Sequence, residues 1–402
     1  SLDYGQRWKT QSFTSSRIIG CVTMDWEELD NRPLNIFLSL FIGFVVTLFF
    51  LSNAGQYIAE DELLNGTVAP GRFSITYEGY KYISNDDSES VVGIGSSIMQ
   101  YAMNGKCMSE NSNIENSKFY NFGMSAEFPY VEMVQIPALI ESAPAIVMIE
   151  IDPRSLLSWD GENQALLDYH RLRFPLISMQ MTHDLNGGWY DLLEQQDRNY
   201  FLNSSIQRDL QWSEYTRDAI DVKIESWVHE LDEEQGYNTV PKRNTKEWND
   251  YLQLPKHIPS KYDLKNESQI RQELERSMPK LNNNYYHPKS NGTQNHAALE
   301  YMISSLNDAG IEVVIVGVPH HPLVNGYLSP GQLDGMNETY QRFVSQFEVH
   351  SIQMYWESWN SNEFYNRNHL DDDGRKRFCQ QVTPFIDEVL LGNKPLYVAE
   401  IE

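Results

Sequence analysis

"VVGIGSSIMQYAM", Val91 to Met103, decides the fold. The branched apolar residues in and around "SVVGI" read as a buried strand, and "SIMQYAM" has helical spacing, so strand, glycine turn and helix follow in order. Ser96 and Ser97 stand at the junction. A serine there serves as a helix N-cap. It also lies where unpaired N–H groups and the helix dipole stabilise an oxyanion, so a nucleophile is the second reading of the same residues.

Further along, "KFYNFGMS" (Lys118–Ser125), "PAIVMIEIDP" (Pro144–Pro153), "IEVVIVGVP" (Ile311–Pro319) and "VHSIQMYW" (Val349–Trp356) are short apolar runs of the kind that form buried parallel strands. Helical patterns separate them. In "NHAALEYMISSLNDAG" (Asn295–Gly310), Ala298, Met302 and Leu306 share one face before a terminal glycine. This βαβ rhythm predicts an α/β fold: a flavodoxin-like, three-layer, doubly wound parallel sheet. One interval breaks it. Residues 154–295 are rich in Trp, Tyr, Asp, Glu and Gln and read as a large helical insertion. Insertions at the carboxyl ends of parallel strands overhang the ligand crevice, so this one is expected to form a wall or lid.

Towards the N-terminus, "LNIFLSLFIGFVVTLFFL" (Leu34–Leu51) is uncharged and close to the ~20 residues that cross a bilayer core. Arg7, Lys9, Arg17 and Arg32 precede it, against Arg72 alone just after it. The expected organisation is therefore a cytoplasmic segment 1–33, a transmembrane anchor 34–52, a stalk 53–72 and an extracytoplasmic domain 73–402. Thirty-one Lys and Arg against 56 Asp and Glu give a net charge of −25, which excludes nucleic acid as a partner and gives a solvated surface. Cys21, Cys107 and Cys379 are too few and too scattered to read as a disulfide framework or a zinc site.

A serine nucleophile needs a base. "FYNRNHLDDDGRKRF" (Phe364–Phe378) puts His369 on a loop after the last strand, with three acids and Gly374 marking a helix start. "YNFGMS" puts Gly123 after the second strand, where its N–H could face an oxyanion. The acids of "HLDDDG" are explained by the helix dipole, and no metal or cofactor is expected. His320 and His321, after the fourth strand, read as a satisfied loop pair.

With these blocks in place the chain resembles the SGNH (GDSL-like) hydrolases, and most closely their DltD-like, membrane-anchored branch, over roughly residues 90–153 and 296–390. Gly95-Ser96-Ser97 matches the nucleophile turn, Gly123 the glycine block, and His369 with Gly374 the final block. The resemblance implies Ser97 as nucleophile, His369 as general base, and an oxyanion hole at Ser97, Gly123 and the third-block position. Two positions depart from the pattern. Asp152 stands where the family has Asn, and a carboxylate there would repel an oxyanion unless protonated or turned away. Asn366 stands where the family has the Asp that supports the histidine; Glu363 or one of Asp371–Asp373 is the alternative support.

The function implied is an esterase or O-acyltransferase acting on acyl esters of cell-surface glycans. Its partners would be the bilayer, an acylated glycan or small acyl ester, and a membrane acyltransferase. The competing expectation is a catalytically degraded module of the same fold that binds or scaffolds for such an acyltransferase.

Overall fold

The computed structural model describes residues 33–58, 79–124, 127–152, 188–195, 197–198, 246–254, 266–284, 294–327, 330–356 and 358–397. Much of the expected insertion, the segment 1–32 and most of the stalk lie outside them.

Five strands form one sheet: β1 (Glu89–Ile94), β2 (Ser117–Asn121), β3 (Ile146–Glu150), β4 (Glu312–Gly317) and β5 (His350–Gln353). Their order is β2-β1-β3-β4-β5 and every pair is parallel. The registers Val92↔Val147 and Met148↔Val314 align apolar residues across the sheet. Successive side chains alternate between faces. Val92, Ile94, Val147, Ile149, Val313 and Ile315 join one core cluster, with Leu139, Ala298, Met302 and Phe343 from the helices Ile136–Ser142, Gln294–Asp308 and Pro330–Phe347. Val91, Ile146, Met148, Val314, Val316 and Ile352 join the other, with Ile98, Met108, Phe378 and Ile386 from Ser97–Ala102, Gly105–Asn111 and Asp372–Leu390. Both faces are thus covered, which is why the strands read as continuous apolar runs and not as alternating ones. Each fully buried Val or Ile contributes roughly 1.5–3 kcal/mol.

This strand order places a switch point between β1 and β3, where the chain turns to opposite sides of the sheet. Ligand crevices in open parallel sheets form at the carboxyl ends of the strands there. Ser96 and Ser97 leave β1 at that point, and Glu150 to Asp152 leave β3.

Within the expected insertion the described helices are Gly188–Leu192, Lys246–Gln253 and Glu267–Asn284. Trp189 and Leu252 bury in the first cluster. Ile270 and Leu274 of the third helix pack on Val324, just beyond β4, and Arg367 Nε lies 3.7 Å from Glu273 of that helix. This part of the insertion therefore stands beside the loops at the carboxyl ends of the strands.

The N-terminal helix runs Pro33–Ile58, past the expected end of the span at Ser52, and its 26 residues include no charge. From Ile36 to Phe49 its large apolar side chains are exposed. Among the described residues no helix is long and apolar enough to cross a membrane.

The cysteine expectation is corrected. Cys107 and Cys379 form a disulfide, with Cα atoms 6.2 Å apart and a sequence separation of 272. It joins the Gly105–Asn111 helix to the last helix. Sequence spacing carries no trace of it because only the packing of those two helices on one sheet face brings the sulfurs together.

Candidate active site

The turn after β1 is built around a buried carboxylate. Gly95 has φ +147°, and a Cβ there would lie 2.5 Å from Glu150 Cβ and 2.7 Å from its Oε2, so both backbone and space require glycine. Ser96 follows as the N-cap, its hydroxyl accepting from Ile98 N–H at 3.1 Å. The Ser96 N–H and O–H also donate to Glu150 Oε2, at 2.7 and 2.9 Å, and Met99 N–H reaches the same oxygen at 3.2 Å. The turn is therefore fastened to the end of the neighbouring strand. Burial, and then the negative charge of Asp152, push the Glu150 carboxyl up to about 7, while its three donors pull it down in part.

These contacts divide the labour between the two serines. Ser96 is held by the helix and by Glu150. Ser97 Oγ lies 2.8 Å from His369 Nε2, so the structure brings together the first and last blocks of the sequence, 272 residues apart.

His369 is placed by three neighbours. Its carbonyl accepts Tyr365 N–H at 2.9 Å beside an antiparallel bridge between Phe364 and Leu370, which closes the loop. Its ring stacks on Tyr101 with centroids 4.3 Å apart. Arg375 holds Tyr101 in turn, donating from Nε to the Tyr101 carbonyl at 2.6 Å with its guanidinium 5.4 Å from the ring. On the far edge of the imidazole, Nδ1 is 2.9 Å from Asn366 Nδ2.

The alternative supports for His369 are engaged elsewhere. Glu363 accepts Asn360 N–H at 2.6 Å and pairs with Arg377 at 3.2 Å. Asp371 caps the last helix by accepting Gly374 N–H at 3.0 Å, and Asp372 pairs with Arg375 at 3.4 Å. Asp373 lies in the first turn of the same helix. Asn366 is the side chain that the structure brings to His369.

The expected oxyanion positions change more. Gly123 N–H donates to Asn121 Oδ1 at 3.0 Å, so this amide is already engaged within its own turn. The glycine is needed for close approach instead: a Cβ would lie 2.6 Å from Gln100 N and 3.1 Å from the Ser96 carbonyl. Asp152 is buried, with Oδ2 3.7 Å from His320 Nε2. Its contact is thus with the loop after β4, and His320 stacks on Tyr355. The Ser97 N–H, in the first helical turn, is one of the amides that intrahelical bonding leaves available.

His321 Nδ1 accepts Leu323 N–H at 3.2 Å and so acts as a cap. Among the described residues no group of three His, Cys, Asp or Glu could hold a metal ion.

Glu150 is the residue that sequence reasoning missed. The signal was a lone carboxylate in "IVMIE", a run otherwise fit for a strand buried on both faces. No family model matches the chain, and no curated protein does.

Proposed function

We propose that the chain is a membrane-anchored, extracytoplasmic SGNH-type enzyme, an esterase or O-acyltransferase acting on acyl esters of cell-surface glycans. The observation that carries this reading is the 2.8 Å contact of Ser97 Oγ with His369 Nε2 at the switch point of a parallel sheet. In the reaction, Ser97 Oγ attacks the acyl carbonyl while His369 Nε2 takes its proton. The oxyanion that forms lies against the Ser97 N–H. The leaving oxygen departs with the proton from His369, and water or a sugar hydroxyl then releases the acyl group by the same steps in reverse. The described part of the insertion, beside the β4 loop and Arg367, suits a wall that shields the acyl-enzyme from water and so favours transfer to an acceptor.

Two features support the location. A disulfide suits an oxidising compartment, which agrees with the domain lying outside the cell. The uncharged apolar run Leu34–Leu51 is close in length to the ~20 residues a bilayer core requires, and on the sequence alone it supports an anchor.

One observation favours a second reading, a binding module partnering a membrane acyltransferase: the neutral Asn366 amide stands where a carboxylate would stabilise an imidazolium. A fluorophosphonate probe separates the two. Labelling at Ser97 with turnover of a short acyl ester supports the enzyme. Absence of both in the full chain, with an intact fold, leaves the binding module.

A further inference from the structure

The Asn366 amide has a defined orientation. Its Oδ1 accepts two backbone N–H groups, from Asn368 at 2.9 Å and from His369 at 3.0 Å. An amide is oriented by the network around it, and turning this one over would set its NH2 against two N–H donors. The oxygen therefore faces the backbone and Nδ2 faces the ring. Nδ2 is a donor only, so the Nδ1 atom 2.9 Å away accepts, and the proton of the neutral imidazole sits on Nε2.

The loop itself is also fastened. The carbonyl of Arg367 accepts His321 N–H at 3.1 Å, and its guanidinium lies 3.7 Å from Glu273. Asn366 stands between a closed turn and this anchor.

We infer that Asn366 is a positioning residue that holds His369 in its Nε2–H tautomer, so that in the resting protein the histidine donates to Ser97 Oγ and the serine is unarmed. This rests on the proposed function only in its consequence for rate. The general-base step needs a bare Nε2 facing the serine proton. Each turnover must then begin by moving the imidazole proton to Nδ1, where it meets the Nδ2–H of Asn366. A carboxylate at the same position accepts from Nδ1–H and from both backbone N–H groups, and so selects the opposite tautomer. In a serine protease the reverse change, Asp to Asn, lost about 10⁴ in kcat through the wrong tautomer.

The test is 15N NMR of the full chain in detergent, with 15N-labelled histidine and His369 assigned by its loss in His369→Gln. The parent protein should show Nε2 protonated and Nδ1 bare. Asn366→Asp should show the reverse and raise kcat on a short acyl ester roughly 10²–10⁴-fold with little change in KM. Asn366→Ala, which removes the amide donor, should give a mixture of tautomers.

An Nδ1–H tautomer in the parent protein overturns the inference, as does an Asn366→Asp protein that keeps the Nε2–H form. The tautomer measurement needs no turnover. If the tautomers behave as stated while neither parent nor Asn366→Asp hydrolyses ester or takes the serine probe, the inference stands and the enzyme reading fails.

Discussion

Glu150→Gln tests whether the carboxylate under the serine turn costs the fold stability. Between its ordinary value of 4.5 and about 7, the folded protein keeps the Glu150 proton while the unfolded chain has lost it. The folded state binds more protons in that window, so stability falls as pH rises through it. The loss begins near pH 4.5 and is complete above pH 7. At about 1.4 kcal/mol per pH unit it totals about 3 kcal/mol. Glutamine carries no charge, retains an oxygen for the Ser96 and Met99 amides, and lacks this dependence. It also removes the charge that, after burial itself, raises Glu132, which acts in the same direction. Chemical unfolding of both proteins at pH 4.5 and pH 8 reads the difference. The variant should gain on the parent by about 3 kcal/mol between the two pH values. A gap that stays constant with pH, or one that narrows, refutes the reasoning.

Ser97→Ala should abolish labelling by a fluorophosphonate with an unchanged melting temperature. Ser96→Ala removes a cap and a bond to Glu150, and should cost about 1 kcal/mol of stability while retaining the label, which mass spectrometry of labelled peptides distinguishes. Reduction of Cys107–Cys379 should lower stability by about 2–4 kcal/mol, measured by denaturant unfolding with and without reductant. Gly123→Ala should disrupt the serine turn, because its Cβ would meet Gln100 N at 2.6 Å, and a variant with parental stability and labelling would contradict that. Protease shaving of intact cells should remove the acidic domain, while protection of that domain would reverse the proposed topology.

The sheet was legible because both its faces are buried: β1, β3 and β4 are runs of Val, Ile and Met that little else explains. The edges were less so. "VHSIQMYW" predicts a strand over 349–356, but pairing to β4 ends at Gln353, and Met354–Trp356 is a 3₁₀ turn. Apolar character alone does not say whether the backbone still has a partner. Ser97 and His369 were legible through cap and turn signals. The engagement of Gly123 by Asn121 was not, since it depends on which way one amide side chain folds over its own turn. The orientation of Asn366 was hidden for a related reason: residue type names the group, while two backbone N–H vectors decide which of its atoms meets the ring.

Ser97 stands ten residues before Cys107, and His369 ten before Cys379. Each half of the pair thus travels with its own half-cystine, and everything between 107 and 379, the insertion included, is a covalent lasso thrown from one to the other. A single cut in the insertion would leave two fragments that migrate together until reduced, with Ser97 on one and His369 on the other. A change in the length of the insertion alone would leave Cys107 tied to Cys379. The covalent link between the two ends that carry Ser97 and His369 is thereby independent of how long the insertion is.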